Sequence, residues 1–188
     1  MTIVLASRSP QRAHLLSLSG VAFEVQSREV DESWQPGEAP EVYVQRLALA
    51  KALAVAGELR TRWILGADTT VWIPAAGVPM GKAANREEAK AALEALRDAG
   101  SHYVSTGVAL LHPARERREV FCVSTRVTMR SFGKRELEAY LDSNDWRDRA
   151  GSYAIQGPAA AFVERIEGSY TNVVGLPLAE VVHILGEG

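Results

Sequence analysis

The sequence predicts an α/β fold built around a mixed β-sheet. Short apolar, β-branched runs alternate along the chain with capped, Leu/Ala-rich stretches, and the two long alternating runs 102–111 and 118–129, joined through Pro113, have the pattern of an antiparallel hairpin. Length supplies a third observation. At 188 residues, 47% of them hydrophobic, the chain can bury roughly two thirds of its unfolded surface. No repeat, linker or low-complexity tract divides it, so residues 1–188 are read as a single domain.

Taken in order, residues 2–6 read as the first strand. Residues 10–19 follow as a helix with Ser9 as N-cap, Pro10 at the first helical position and Gly20 as its stop. Residues 22–26 are a second strand. The polar stretch 27–39, with Asp31-Glu32 and Pro36-Gly37, is a loop before a long Ala/Leu-rich helix from about Pro40 to about Ala56. Residues 63–67 and 70–73 read as strands on either side of Asp68-Thr69. Asn85 and Glu88 have capping-box spacing and open a helix through Ala99 that Gly100 ends. Beyond the hairpin, 134–141 is a short helix, 159–167 a strand and 177–185 a closing helix. Glycines cluster in loops at 151–157 and 168–175, alternating with polar side chains. Such loops let backbone approach a ligand closely, although turn formation alone also explains them.

Composition excludes several function classes. A net charge of −2 argues against a broad nucleic-acid footprint, which requires a basic face. The single cysteine, Cys122, lies in the alternating run 120–127, so a disulfide framework is excluded and a strand residue in a reducing compartment is expected. No charged-then-apolar leader precedes the first strand, and no apolar run approaches the ~20 residues needed to cross a bilayer. A cytoplasmic, unexported protein is the expectation.

Chemistry-bearing residues begin at Ser7-Arg8-Ser9-Pro10-Gln11-Arg12, where two cations sit at a helix N-terminus that favours anions. Each costs roughly 0.3–1 kcal/mol against the helix dipole. An anion between them and the free backbone N–H groups would relieve the misfit, and phosphate is the obvious one. The alternative is that each arginine pairs with an acid elsewhere. On the dipole reading, removing Arg12 leaves stability unchanged or raises it.

Asp68 ends the apolar run 63–67, where a buried strand would emerge into a cleft, so its carboxylate must be hydrogen-bonded, metal-bound or paired, with Arg12 or Lys82 as candidate partners. Asp31 and Glu32 are adjacent on a loop, so one can reach a divalent cation while the other faces solvent. The segment 77–83 is no P-loop, having one spacer too few and no Ser or Thr after Lys82. Lys82 remains either a point charge for phosphate or an ordinary solvated lysine. His14, His102, His112 and His183 lack metal-ligand spacing, no Gly-x-Ser-x-Gly elbow occurs, and the four tryptophans read as core or loop anchors.

Six blocks, 5–12, 66–69 (Gly-Ala-Asp-Thr), 81–82 (Gly-Lys), 105–110 (Ser-Thr-Gly-Val-Ala-Leu), 150–157 (Ala-Gly-Ser-Tyr-Ala-Ile-Gln-Gly) and 168–178, together closely resemble the Maf family of nucleoside triphosphate pyrophosphatases. They occur in family order and span nearly the whole chain. The resemblance implies an elongated mixed sheet flanked by helices, in two lobes with a central cleft, related to the inosine triphosphate pyrophosphatases. It also implies hydrolysis of a nucleoside triphosphate to monophosphate and pyrophosphate with a divalent metal (magnesium, manganese or cobalt). Carried over by position, Asp68 matches the proton acceptor, and Arg12, Thr69 and Gln156 match positions tied to substrate choice. Ser7, Glu32 and Lys82 match further active-site positions. The block ending in Gln156 resembles the dTTP/UTP subgroup, whereas the 7-methyl-GTP subgroup carries Glu there. Ala83, where Pro is usual, and Arg149, where Lys is common, depart from the pattern.

The chemistry agrees with the residues. Attack of water on the α-phosphorus needs a base, a metal on phosphate oxygens and cations for charge moving onto pyrophosphate. Asp68, Glu32 with Asp68 as metal ligands, and Arg12 with Lys82 fill those roles in turn. Gln156 offers a donor and an acceptor, which suits a pyrimidine edge. The expected partner is the nucleotide, without nucleic acid or membrane, and a homodimer is compatible with the sequence. A nucleotide-sensing regulator of septum formation with incidental hydrolysis is an alternative from a different class, and a general phosphatase releasing inorganic phosphate is a third.

Overall fold

The computed structural model describes residues 2–57, 59 and 61–186. Its elements, in order, are β1 (Thr2–Leu5), α1 (Pro10–Leu18), β2 (Ala22–Val25), α2 (Pro40–Ala56), β3 (Ile64–Trp72), β4 (Pro79–Met80), α3 (Arg86–Ala99), β5 (Ser101–His112), β6 (Arg117–Met129), α4 (Lys134–Asp142), β7 (Val163–Glu167), α5 (Tyr170–Val174) and α6 (Leu178–Gly186). The strands form one mixed sheet in the order β2-β1-β3-β5-β6-β7, with β4 pairing β3. β2, β1 and β3 run parallel, as the intervening helices require, and the pairs from β3 through β7 are antiparallel.

Helix starts follow local capping chemistry. Ser9 Oγ accepts the Arg12 amide with Pro10 at the first position, and Asn85 caps α3 by accepting the Glu88 amide at 2.8 Å. The hairpin turns through a short 3₁₀ segment at Pro113–Arg115. Two expectations are corrected. Residues 63–67 and 70–73 are not two strands, since β3 runs unbroken through Asp68 and Thr69, which pair with Gly107 and Thr106. The expected strand 159–167 begins only at Val163, because Pro158 opens a 3₁₀ turn through Phe162 instead. The 168–175 loop also contains a helix, α5, capped by Ser169.

Alternation along the strands splits the core. On one face Leu5, Leu65, Ala67, Val108 and Leu110 pack against Leu15 and Leu16 of α1 and Val181 and Leu185 of α6. On the other, Val4, Ile64, Ala109 and Leu111 pack against Ala48, Ala52 and Val55 of α2. A third cluster gathers at the other end of the strands, where Val71, Val104 and Val127 meet α3 and α4 through Leu93, Leu96, Leu137 and Tyr140. His102, buried there, hydrogen-bonds Tyr153 Oη at 2.7 Å, and burial pushes its pKa down to about 4. It is a packing histidine. Among the described residues, no helix is long and apolar enough to cross a membrane.

Candidate active site

Along one edge, β3 pairs with β1 at Ile64 and Leu65 and with β4 at Val71 and Trp72, so the ladder on that edge is interrupted between them. A cavity of about 1190 Å³ opens at this gap. Asp68 therefore reaches the cavity sideways from the middle of a strand, a correction to its expected position at a strand end. Because neighbouring strand residues point to opposite faces, Asp68 meets α2 while Thr69 meets α1 and α5.

The α2 face is acidic chemistry built around a lysine. Lys51 Nζ lies 2.6 Å from Asp68 Oδ1 and 2.6 Å from Glu32 Oε1, and the Lys51 and Asp68 side chains are only 15% and 12% exposed. Asp68 is thus paired with neither Arg12 nor Lys82. The approach of α2 that delivers Lys51 is set by glycine. A Cβ on Gly66 would lie 2.1 Å from the Ala48 carbonyl oxygen, and one on Gly107 would lie 2.3 Å from that of Val44. The loop bearing Glu32 is tied down from the same helix, where Tyr43 Oη donates to the Glu32 carbonyl at 2.8 Å and Arg46 donates to the Ser33 carbonyl at 3.0 Å. Asp31 turns away and accepts from the Ser33 amide and hydroxyl. Burial pushes the Glu32 carboxyl up, but the Lys51 hydrogen bond and the charges of Lys51, Lys82 and Arg12 outweigh it and hold it below its usual value.

The opposite face centres on Arg12, which is 9% exposed. Its guanidinium donates to the Gly175 carbonyl at 2.8 Å, Thr69 Oγ1 at 2.9 Å and Ser7 Oγ at 3.2 Å. Gly175 presents that carbonyl from φ +129°, a conformation that favours glycine. Thr69 Oγ1 contacts Thr106 Oγ1 at 2.9 Å, Thr106 donates to the Asn172 carbonyl, and the buried Asn172 amide donates to Val104 O and Thr125 Oγ1. Burial pushes the Arg12 pKa down against the opposing charges of Asp68 and Glu32. The guanidinium at this helix start is thus met by neutral oxygens, from Gly175 and Thr69 far along the chain and from Ser7 nearby, and by no acidic partner among the described residues.

All seven residues singled out in the sequence, Ser7, Arg12, Glu32, Asp68, Thr69, Lys82 and Gln156, line this cavity. Gln156 is exposed there, in the turn that precedes Pro158. Lys82 is held by an isolated antiparallel bridge to Ala150. Lys51 and Tyr43 escaped the sequence reading. The signal for Lys51 was present: with Val44, Ala48, Ala52 and Val55 it falls on the stripe of α2 that faces the sheet, where a lysine needs a buried acid. Cys122 is not among the residues lining the cavity, and burial pushes its thiol up to about 11.

The cavity carries seven basic residues (Arg8, Arg12, Arg28, Lys51, Lys82, Arg147 and Arg149) against four acidic ones (Glu29, Glu32, Asp68 and Asp148), in a chain whose net charge is −2. Its lining has an excess of three positive charges, which favours an anionic ligand. Among the described residues, no group of three or more His, Cys, Asp or Glu could hold a metal unaided. Glu32 and Asp68 nevertheless fit a magnesium-like ion, which is commonly bound through one or two carboxylates plus substrate phosphate oxygens.

The family model described as Maf-like protein matches residues 2–188. A dTTP/UTP pyrophosphatase of Geobacter sulfurreducens is 47% identical over 97% of this chain and 94% of its own. One of Hahella chejuensis is 44% identical over 98% and 91%. In fold, the chain is similar to a HAM1 protein from Coxiella burnetii, with a TM-score of 0.57 and 19% identity over 100% of both chains. The Ham1 protein of Staphylococcus aureus gives 0.51 and 16% over 69% of this chain and 72% of that one.

Proposed function

The chain belongs to the Maf family, and we propose that it is a nucleoside triphosphate pyrophosphatase that converts dTTP and UTP to their monophosphates and pyrophosphate. The observation that carries this reading is the carboxylate pair of Asp68 and Glu32, bridged by Lys51 inside a cavity otherwise dominated by cations. Relatives named dTTP/UTP pyrophosphatase, 43–47% identical, support the substrate class.

Lys51 occupies Asp68 Oδ1, which fixes the carboxylate plane and leaves Oδ2 as the atom to take a proton from the attacking water. Arg12 and Lys82 hold phosphate oxygens and stabilise charge passing to the leaving pyrophosphate. Ser7 and Thr69 orient Arg12 through their hydroxyls. A divalent cation held chiefly by Glu32, beside Asp68, would polarise the phosphoryl group and screen its charge. Gln156, at the cavity rim, is assigned to the base.

Phosphorus NMR of the products formed from UTP and dTTP tests the reading. Monophosphate and pyrophosphate are expected with magnesium, manganese or cobalt. Release of inorganic phosphate first would identify a phosphatase, and binding without turnover would favour a nucleotide sensor.

A further inference from the structure

Three of the four tryptophans are packed against the rest of the molecule. Trp63 and Trp146 are buried, and Trp72 stacks on Tyr103. Trp34 is different: it is exposed, it lines the cavity, and it stands two residues beyond Glu32 in the loop that precedes α2. Its ring is nevertheless held. The indole Nε1 donates to the Glu38 carbonyl at 3.0 Å, and the Glu38 carboxylate is clamped by two hydrogen bonds from Arg46, each of 2.7 Å. With its one polar atom engaged and its loop fixed from α2, the indole is a rigid, flat, apolar surface at the cavity wall.

A nucleotide needs two kinds of surface here. Its phosphates need cations, which the lining holds in excess, and its base needs an aromatic plane, which charged side chains do not provide. Among the described residues, three aromatic side chains line the cavity. Tyr153 is buried, with its hydroxyl on His102. Tyr43 has its hydroxyl on the Glu32 carbonyl and its ring faced by Arg46, whose guanidinium carbon lies 5.5 Å from the ring centroid. Of the three, Trp34 alone is exposed. Its place in the chain also suits a base. Two residues of chain span at most about 7 Å, so Trp34 stays close to Glu32, and the base of a bound nucleotide is one sugar away from the α-phosphorus that the carboxylate pair faces.

We infer that Trp34 is the stacking platform for the nucleotide's base, a binding residue separate from the groups that hold the phosphates. The inference rests on the nucleotide reading above and adds a base subsite at the Glu32 loop. Stacking on an aromatic ring tolerates any base, because every base has a π face. Trp34 therefore supplies affinity, and the choice between bases stays with hydrogen-bonding groups such as Gln156. Since Glu38 already engages Nε1, the indole offers its face and no hydrogen bond, so a phenylalanine can take its place.

Calorimetric titration of the full-length protein with UMP and, separately, with ribose 5-phosphate, which lacks the base, tests the assignment. Trp34→Ala is expected to weaken UMP binding about 5- to 100-fold while changing ribose 5-phosphate binding less than about threefold. Trp34→Phe should restore UMP binding to within about threefold of the wild type. Fluorescence separates direct stacking from mere support of the loop. UMP should quench tryptophan emission in the wild type, and in Trp34→Phe the quench should disappear while calorimetry still reports binding. Equal losses for both ligands in Trp34→Ala, an unchanged UMP affinity in that variant, or a quench that survives in Trp34→Phe overturns the assignment. Should Trp34→Ala fail to fold, the fluorescence of Trp34→Phe still decides. If the wild type binds UMP more tightly than ribose 5-phosphate but forms no pyrophosphate from UTP, the reaction reading fails while this one stands.

Discussion

Replacing Arg12 with alanine sets a local electrostatic gain against a tertiary loss, and the geometry fixes which is larger. The gain is relief of a cation from the N-terminal turn of α1, worth roughly 0.3–1 kcal/mol. The loss is three hydrogen bonds from a charged donor, to Gly175 O, Thr69 Oγ1 and Ser7 Oγ, at 2.8, 2.9 and 3.2 Å. Charged hydrogen bonds contribute about 1.5–3 kcal/mol each, but Thr69 keeps Thr106 and Ser7 keeps the Ser9 amide, so only the Gly175 carbonyl loses its closest donor outright. The variant also no longer incurs the cost of burying the guanidinium, the desolvation that lowers the Arg12 pKa, which offsets part of the loss. One lost charged hydrogen bond set against the dipole gain leaves a net destabilisation of about 0.5–2.7 kcal/mol, which for a chain of this size lowers Tm by roughly 1–11 °C. Thermal unfolding followed by circular dichroism measures it, with Arg12→Lys falling between the two because an ammonium cannot span three acceptors. Added UTP should raise the wild-type Tm and scarcely move that of Arg12→Ala. An unchanged or raised Tm in Arg12→Ala would show that the dipole dominates and that the three contacts contribute nothing net.

Two further substitutions probe the site. Asp68→Asn keeps the shape of the side chain but removes the proton acceptor, and kcat should fall about 10²–10⁴-fold with the fold retained; a smaller loss measured on a natively folded variant would leave Asp68 as a structural partner of Lys51. Gln156→Glu presents only acceptors when ionised, so kcat/KM for UTP and dTTP should fall relative to that for GTP. Since Gln156 is exposed, the change in that ratio should be about tenfold, well short of the ~10⁴ available to a buried unpaired group. Equal losses on all three nucleotides would move Gln156 from base recognition to loop geometry.

Much of this fold is written in local chemistry. Helix starts at Ser9-Pro10 and Asn85-Glu88 are legible because a cap is made by residues three apart. The hairpin is legible because its alternation runs through twelve residue pairs on two adjacent strands. β3 was misread as two pieces because Asp68-Thr69 interrupt the apolar pattern. What makes two polar residues acceptable in mid-strand is the gap between β1 and β4, a property of the sheet and of no single segment. The partners of Arg12 are hidden for the same kind of reason: its shortest hydrogen bond, to Gly175 O, reaches 163 residues along the sequence. The roles of Asp68 and Gln156 follow from the family resemblance; without it the sequence shows a carboxylate at the end of an apolar run and a glycine-rich loop at 151–157.

The glycines of the Gly66-Ala67-Asp68-Thr69 and Ser105-Thr106-Gly107 blocks are better understood as packing residues that have chemical consequences. Gly107 is the direct cross-strand partner of Asp68, and Gly66 lies two residues before it on the same face. With hydrogen in place of Cβ at both positions, α2 settles against the sheet at distances that no side chain would permit. That closeness lets one helix supply the lysine for Asp68 and, through Tyr43, the tie that holds the Glu32 loop. Moving α2 outward by the width of a methyl group would stretch the 2.6 Å contact of Lys51 with Asp68 and separate the carboxylate pair from the helix that organises it. In these two blocks the requirement for a tight helix–sheet contact and the requirement for a charged site fall on the same strands, so the acid and the glycines that make room for its partner belong to one structural unit.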